Sequence, residues 1–318
     1  MTDVRDDYVR YTNDLRQINR AAASDPEAMV AHSETAYQED IERVARGLLR
    51  GGARLVMLAG PTSSGKTTTA ELLTGVLKRQ GAECALISLD DFYRGERLAP
   101  LLPNGEHNYE SLEALDVPAI QTCLAQLLET SRCEIPVFDF EAHQPFPHKR
   151  CVTLAPHGIA VVEGIHALNP VLIQRVPALQ VKRIYISVKQ GIRDGDRLLL
   201  GPNDMRLVRR LVRDSNFRKT DPEKTLGMWG TVMAGERNYI KPFRGIADFT
   251  VNSFHVYEPC VLKSQAARLL HTVPEESGSF ETAHRLLGVL ERFPEIEGGL
   301  VPPDSILREF IGPAGPVT

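Results

Sequence analysis

Leu55-Val-Met-Leu-Ala-Gly60-Pro-Thr-Ser-Ser-Gly65-Lys66-Thr67 decides the fold. The run Arg54–Ala59 is short and apolar, as a buried strand is. Gly60–Thr67 matches G-x-x-x-x-G-K-[ST] and opens a helical pattern from Lys66 to about Gln80. Strand, glycine-rich turn and helix in that order make a phosphate cradle. The glycines let backbone N–H groups curl around phosphate oxygens, and the helix aims the positive end of its dipole at them. Lys66 reaches β- and γ-phosphates, and the Thr67 hydroxyl can ligate Mg²⁺. Ser63, Ser64 and Thr68 complete the expected nucleotide contacts.

Outward from this stretch, apolar runs recur at Cys84–Leu89, Glu134–Phe138, Ile159–Glu163 and Lys182–Val188. Helical patterns lie between most of them, as at Asp116–Thr130. This alternation predicts a three-layer α/β/α fold around a mainly parallel sheet. Upstream, Ser33 reads as the N-cap of a helix Glu34–Arg50 with Tyr37, Ile41, Val44, Ala45 and Leu48 on one face, ended by Gly51-Gly52. Downstream, Asp204 to about Glu236 is rich in Arg and Lys at helical spacing. After Val251 helices are expected at Glu258–Leu270 and Ser279–Arg292, then a Pro/Gly-punctuated tail with one amphipathic piece, Ser305–Phe310. The expected division is a helical segment 1–50, a core 51–272 with a lid about 204–236, and a helical extension and tail 273–318.

Composition narrows the class. A chain of 318 residues with 42% hydrophobic and 25% charged residues is neither disordered nor fibrous. A net charge of −4 leaves no global basic field, so nucleic acid is not an expected partner. The five cysteines form no CxxC pair, which argues against a disulfide framework or a Cys-based zinc site. Cys133 and Cys151 read as buried small hydrophobes, and Trp229 as a packing residue. The N-terminus is too polar for a signal peptide, and no apolar run approaches the roughly 20 residues of a membrane helix. A cytoplasmic location is expected.

Two predicted strands end in acids: Asp90-Asp91 after Leu86-Ile-Ser-Leu, and Glu163 after Ala160-Val-Val. Ligands of open α/β sheets sit at the carboxyl ends of strands, so these acids should share a crevice with Lys66 and Thr67. Phosphoryl transfer to an alcohol needs one carboxylate to accept the hydroxyl proton and another to organise Mg²⁺. The competing reading is that the acids cap turns. Arg206, Arg209, Arg210 and Arg213 recur at three and four, and Arg218 follows. They read as a positive lid face over a nucleotide or, alternatively, as a solvated helix paired with Asp204 and Asp214. An RNA-binding helix would need interleaved aromatics, which are missing.

Gly60–Thr67, Ser88-Leu-Asp90-Asp91-Phe-Tyr93, Pro136–His143, Val162-Glu163-Gly164-Ile165 and Arg209-Arg210-Leu-Val-Arg213-Asp214 fall in the order seen in the uridine kinase/phosphoribulokinase family. Gly164–Pro170, Thr225–Trp229, Gly235-Glu236, Ala247-Asp248, Asn252-Ser253 and Ser305–Gly312 resemble its bacterial uridine kinase-like branch. Many members of that branch carry an N-terminal TGS-like domain, which is not expected here. The resemblance implies an ATP (or GTP) and Mg²⁺-dependent kinase acting on the 5′-hydroxyl of a pyrimidine ribonucleoside. It implies Asp90 as base, Thr67, Glu163 and Asp90 around Mg²⁺, and Gly60, Ser63, Ser64, Gly65, Lys66, Thr67 and Thr68 on the nucleotide. It implies Tyr93, Tyr109, Glu110, Phe138, Phe140, His143, Arg210 and Arg213 at the substrate, Lys66, Arg213 and Arg218 aiding transfer, and homo-oligomerisation as an open matter.

Other readings stay open. Glu110 can be a helix N-terminal acid, His143 an exposed loop histidine, and Tyr109 and Phe140 core. The sequence also departs from the family: Phe138 stands for the usual Tyr, Arg218-Lys219-Thr220 for Arg-Gly-Arg, Met228 for Gln, and Gln144 breaks the common pattern. These departures leave two rivals: a kinase for a sugar phosphate or other small alcohol, and a nucleotide-binding regulator.

Overall fold

The computed structural model describes residues 11–102, 105, 107–140, 142–146 and 148–313. The N-terminal polarity reading falls largely on residues 1–10, and the end of the tail on 314–318; both lie outside the described residues.

The chain opens with β1 (Tyr11–Asp14), α1 (Leu15–Ser24) and α2 (Pro26–Arg50). The Asp14 carboxylate accepts from the Arg16 and Gln17 amides, and that of Asp25 from the Ala28 amide. Asp25-Pro26 is therefore the start signal for α2, and Ser33 lies inside the helix rather than capping it. Then come β2 (Leu55–Ala59), α3 (Lys66–Arg79), β3 (Cys84–Ser88), α4 (Val117–Thr130), β4 (Arg132–Ile135), β5 (Phe138–Asp139), β6 (Gln144–Pro145), β7 (Arg150–Thr153) and β8 (Ile159–Glu163). The second half holds β9 (Val181–Ser187), β10 (Gln190–Asp194), β11 (Arg197–Leu200), α5 (Pro202–Arg218), α6 (Pro222–Gly227), α7 (Trp229–Gly235), β12 (Phe249–Asn252), α8 (Glu258–Leu270), α9 (Phe280–Leu290) and α10 (Arg308–Ile311).

Five parallel strands form the central sheet in the order β12-β9-β2-β8-β3. β2 is central and fully buried. Its alternate residues feed opposite layers. Val56 and Leu58 join the core shared with α2, α3, α8 and α9, while Leu55, Met57 and Ala59 join the core under α4. The chain leaves β2 for β3, returns to β8 and later crosses to β9 on the other side. That reversal places a crevice at the carboxyl end of β2. The expected three-layer architecture is thus observed.

Two strand assignments differ from expectation. The Glu134–Phe138 run is not a strand of the parallel sheet. β4 pairs antiparallel with β7, and β5 with β6, as separate two-stranded units. Residues of β4 alternate exposed and buried, the pattern of a sheet covered on one face. In β7 only Val152 turns inward and Cys151 is exposed, whereas Cys133 is buried as expected. β12 was hidden in the sequence because an edge strand has one neighbour and a half-polar pattern. β1 likewise adds to a small sheet, β1-β10-β11. Among the described residues no helix is long and apolar enough to cross a membrane.

The layers meet at Arg209 of α5, which is completely buried. Its guanidinium pairs with the Glu258 carboxylate of α8 at 2.7 Å and donates to the Ser253 carbonyl at 2.6 Å and the Ser63 carbonyl at 3.3 Å. Phe310 stacks beneath it, 5.1 Å from ring centroid to guanidinium carbon. Both charges are removed from water, so removing one strands the other. Arg209→Met is therefore expected to cost about 3–5 kcal/mol of unfolding free energy in urea titrations, whereas Arg285→Ala, at an exposed pair with Asp204, should cost about 1 kcal/mol or less.

Candidate active site

The loop after β2 takes the shape its glycines permit. Gly65 has φ +83° and Ser63 φ +56°, both left-handed. A Cβ at Gly60 would overlap the Ile186 carbonyl, and one at Gly65 the Ile306 side chain. The Ser63 and Ser64 hydroxyls are buried with no hydrogen-bond partner. Among the described residues Lys66 donates to the Pro61 carbonyl alone, at 3.1 Å. Orphaned hydroxyls, a lightly held ammonium and a helix N-terminus fit phosphate oxygens.

The strand-end acids gather where expected. Ser88 donates to Glu163 at 2.7 Å, and the Thr67 hydroxyl lies 3.5 Å from the same oxygen. Ser88 Oγ also accepts from the Asp90 amide at 3.3 Å, which ties the turn after β3 to the end of β8. Burial pushes the Glu163 carboxyl up to about 7, with Asp90 repelling in the same direction and Lys66 opposing. Burial also raises Asp90, against Lys66. Glu110 is raised by burial and held down by Arg210 and Lys66. Each carboxylate thus feels the charge of the same lysine. Among the described residues no three His, Cys, Asp or Glu side chains cluster as a protein-only metal site. The donors present suit a Mg²⁺ that keeps water and phosphate oxygens as its other ligands.

The arginine helix divides into two parts. Arg206 is buried, pairs with Glu236 at 2.7 Å and donates to the Thr62 carbonyl at 3.2 Å. With Arg209 it belongs to the interior rather than to a positive face. Arg210, Arg213 and Arg218 all address one acid, Asp214, at 3.2, 2.8 and 3.4 Å. Three cations on one carboxylate leave a positive surplus beside the loop, and Arg210 also lies 3.4 Å from the Thr62 hydroxyl. Arg218 is half-exposed, and its charge is felt at Asp90. Lys219 ends the helix at φ +50°, a conformation that suits the glycine expected there from the family pattern and costs a lysine about 1–2 kcal/mol.

The aromatic candidates form one cluster. Tyr93 lies edge-on to Tyr109 at 5.9 Å and tilted against Phe138 at 5.6 Å, and Phe140 meets Phe138 at 5.1 Å. His143 stacks on Tyr109 at 6.1 Å. Phe138 is buried, but Phe140 is exposed, so it is not core. His143 is an exposed residue with φ +51°. The Tyr93 hydroxyl donates to the Tyr109 carbonyl at 3.1 Å. Glu110 lies beside Gly235, where a Cβ would come 2.7 Å from its own Cβ. Ser88 was legible only as part of Ser88-Leu-Asp90-Asp91. Thr62 and Glu236 lay inside quoted motifs and Glu258 opened an expected helix, but none was given a role, because their partners are distant in the chain.

This geometry defines a nucleotide-binding α/β protein of the phosphate-loop kinase class. The comparisons narrow it. Residues 55–258 match the Phosphoribulokinase / Uridine kinase family, and the chain belongs to it. A uridine kinase of Clostridium botulinum (strain Kyoto / Type A2) is 29% identical over 198 residues, 62% of this chain and 86% of that protein. A uridine kinase of Schizosaccharomyces pombe is 29% identical over 170 residues, 53% of this chain and 33% of that protein. A solved structure from Silicibacter sp. TM1040, described as a fructose transport system kinase, shares the fold with a TM-score of 0.50 at 23% identity, over 66% of this chain and 98% of that one. The chain is a phosphotransferase acting on an alcohol acceptor.

His166 sits against this site. It is buried, meets Tyr239 edge-on at 5.8 Å, and lies against the backbone of Glu110 and Ser111. Burial lowers its pKa to about 4, partly offset by the nearby backbone of Glu110 and Ser111. The unfolded chain takes up this proton near pH 6.5, and the folded chain takes it up only near 4. The stability present above pH 6.5 is therefore lost as pH falls towards 4, by about 3 kcal/mol. Urea titrations across that window are expected to show this loss, and His166→Leu should flatten it.

Proposed function

We propose that this chain is an ATP-dependent nucleoside kinase that phosphorylates the 5′-hydroxyl of a pyrimidine ribonucleoside, uridine or cytidine. The observation that carries the reading is the meeting of the phosphate loop with the strand-end acids, where the Thr67 hydroxyl lies 3.5 Å from the Glu163 oxygen that Ser88 also holds and Ser88 takes the Asp90 amide. The likeness to curated uridine kinases supports it. The loop amides, Ser63, Ser64, Lys66 and Thr68 hold the donor phosphates. Thr67 and Glu163, with Asp90 beside them, would organise Mg²⁺, which neutralises charge on the transferring group.

Asp90 accepts the proton of the 5′-hydroxyl as its oxygen bonds to the γ-phosphorus. The bond from that phosphorus to the β,γ-bridging oxygen breaks, and ADP leaves. A carboxyl raised by burial is a stronger base for this task than an ordinary aspartate. Glu110 takes the ribose 2′ and 3′ hydroxyls, and the Tyr93, Tyr109, Phe138, Phe140 and His143 cluster faces the base. Arg210, Arg213 and Arg218 stabilise the charge that develops on the transferring group.

A second reading keeps the kinase and changes the acceptor to a sugar phosphate or another small alcohol. It draws on the cationic surplus at Asp214 and on the missing hydroxyl at Phe138. An ADP-release assay over nucleosides and sugar phosphates separates the two. Turnover on uridine or cytidine is expected, with Asp90→Asn lowering kcat by roughly 10²–10⁴-fold at little change in ATP affinity. Lys66→Ala should weaken ATP binding itself. Turnover confined to phosphorylated acceptors would select the second reading, and full activity in Asp90→Asn would remove the base assignment.

A further inference from the structure

Family membership covers residues 55–258, and the C-terminal segment Ser305–Gly312 lies beyond it. That segment is nevertheless built into the phosphate loop. Ile306 packs on Gly65. Phe310 lies under the Arg209 guanidinium, and its carbonyl accepts from Asn216 at 2.9 Å. The Ser305 hydroxyl donates to Glu34 of α2 at 2.6 Å, and the Tyr257 hydroxyl donates to the same carboxylate. So held, the segment presents Glu309, whose carboxylate accepts from the Thr68 hydroxyl at 3.2 Å. Glu309 is half-buried and makes no ion pair among the described residues.

Neighbouring hydroxyls at the start of α3 thus face different groups. Thr67 faces Glu163, on the side where Lys66 and Asp90 gather. Thr68 faces Glu309. The β- and γ-phosphates belong on the first side. The α-phosphate and nucleoside of a bound nucleotide would then leave the loop past Thr68 and along the C-terminal segment, where the charge of Glu309 is still felt at Glu163. Phosphate repels a carboxylate placed there, so its favourable partners are hydrogen-bond donors of the nucleoside. We infer that Glu309 accepts hydrogen bonds from the ribose hydroxyls of the donor nucleotide, which makes Ser305–Gly312 the outer wall of the donor site. The inference rests on the proposed role of Gly60–Thr67 as the donor-phosphate loop.

Calorimetry on the full chain tests it without any acceptor, using Mg·ATP, Mg·2′-deoxyATP, Mg·3′-deoxyATP and Mg·GTP. Wild type is expected to bind ATP about tenfold tighter than the deoxy analogues, the scale of one charge-assisted hydrogen bond. Glu309→Ala should weaken ATP about tenfold and erase the ribose preference. Ser305→Ala loosens the same segment without removing the carboxylate, so it should lower Tm and keep the preference. An unchanged ATP-to-deoxyATP ratio in Glu309→Ala overturns the inference. So does tighter ATP binding, the mark of simple repulsion, or a lost ATP-to-GTP preference with the ribose preference intact. Undiminished ATP binding by Lys66→Ala would instead remove the loop premise, and the inference with it.

Discussion

The buried Arg209–Glu258 pair is the constraint on which the other elements depend. A guanidinium and a carboxylate at zero exposure are tolerable only when nearly every donor is used. Arg209 meets this demand by drawing the phosphate loop through Ser63, the end of β12 through Ser253, α8 through Glu258 and the C-terminal segment through Phe310. A lysine has no planar fork with which to do so. Lifting α5 away as a unit would strand both charges. At the far end of the helix Arg213 and Arg218 share Asp214, and Lys219 sits in a strained left-handed conformation.

The crevice itself is electrostatically unfinished. Three carboxylates are raised by burial and held in check chiefly by Lys66 and Arg210. On the opposite wall three arginines share one aspartate. Negative charge is crowded at the strand ends, and positive charge is in surplus on α5. A phosphate chain laid between them would meet the surplus cations, and a divalent ion beside Thr67 and Glu163 would relieve the crowded acids. Each charge is costly alone and favourable in the complete assembly.

What the sequence disclosed follows from the range of the interactions concerned. Gly60–Thr67 was legible because the phosphate cradle is local: turn, lysine and helix start are consecutive residues. Asp90 and Glu163 followed from strand topology, since acids at the ends of parallel strands share one edge. The arginine helix was legible only in part. Its spacing suggested a single positive face, yet Arg206 and Arg209 turn inward to Glu236 and Glu258, 30 and 49 residues away. No periodicity encodes such a partner. The same distance hid the tail, whose contact with Gly65 spans most of the chain. Glu134–Phe138 misled because a short apolar run does not say whether one face or both are covered.

The acceptor side shows how a departure from a family pattern can be absorbed by its surroundings. The family pattern leads one to expect a tyrosine at Phe138, but the ring found there is buried between Tyr93 and Phe140. A hydroxyl there would need a partner of its own. The nearest phenol, Tyr93, already donates to the Tyr109 carbonyl. On the proposed reading the remaining rings would meet a planar group by stacking, which tolerates many bases. Sharp discrimination comes from buried polar groups that are left unpaired by the wrong ligand. On the proposed reading that demand falls on Glu110, wedged against Gly235 and raised by burial, which would place selectivity in the hydroxyls of the acceptor more than in its ring.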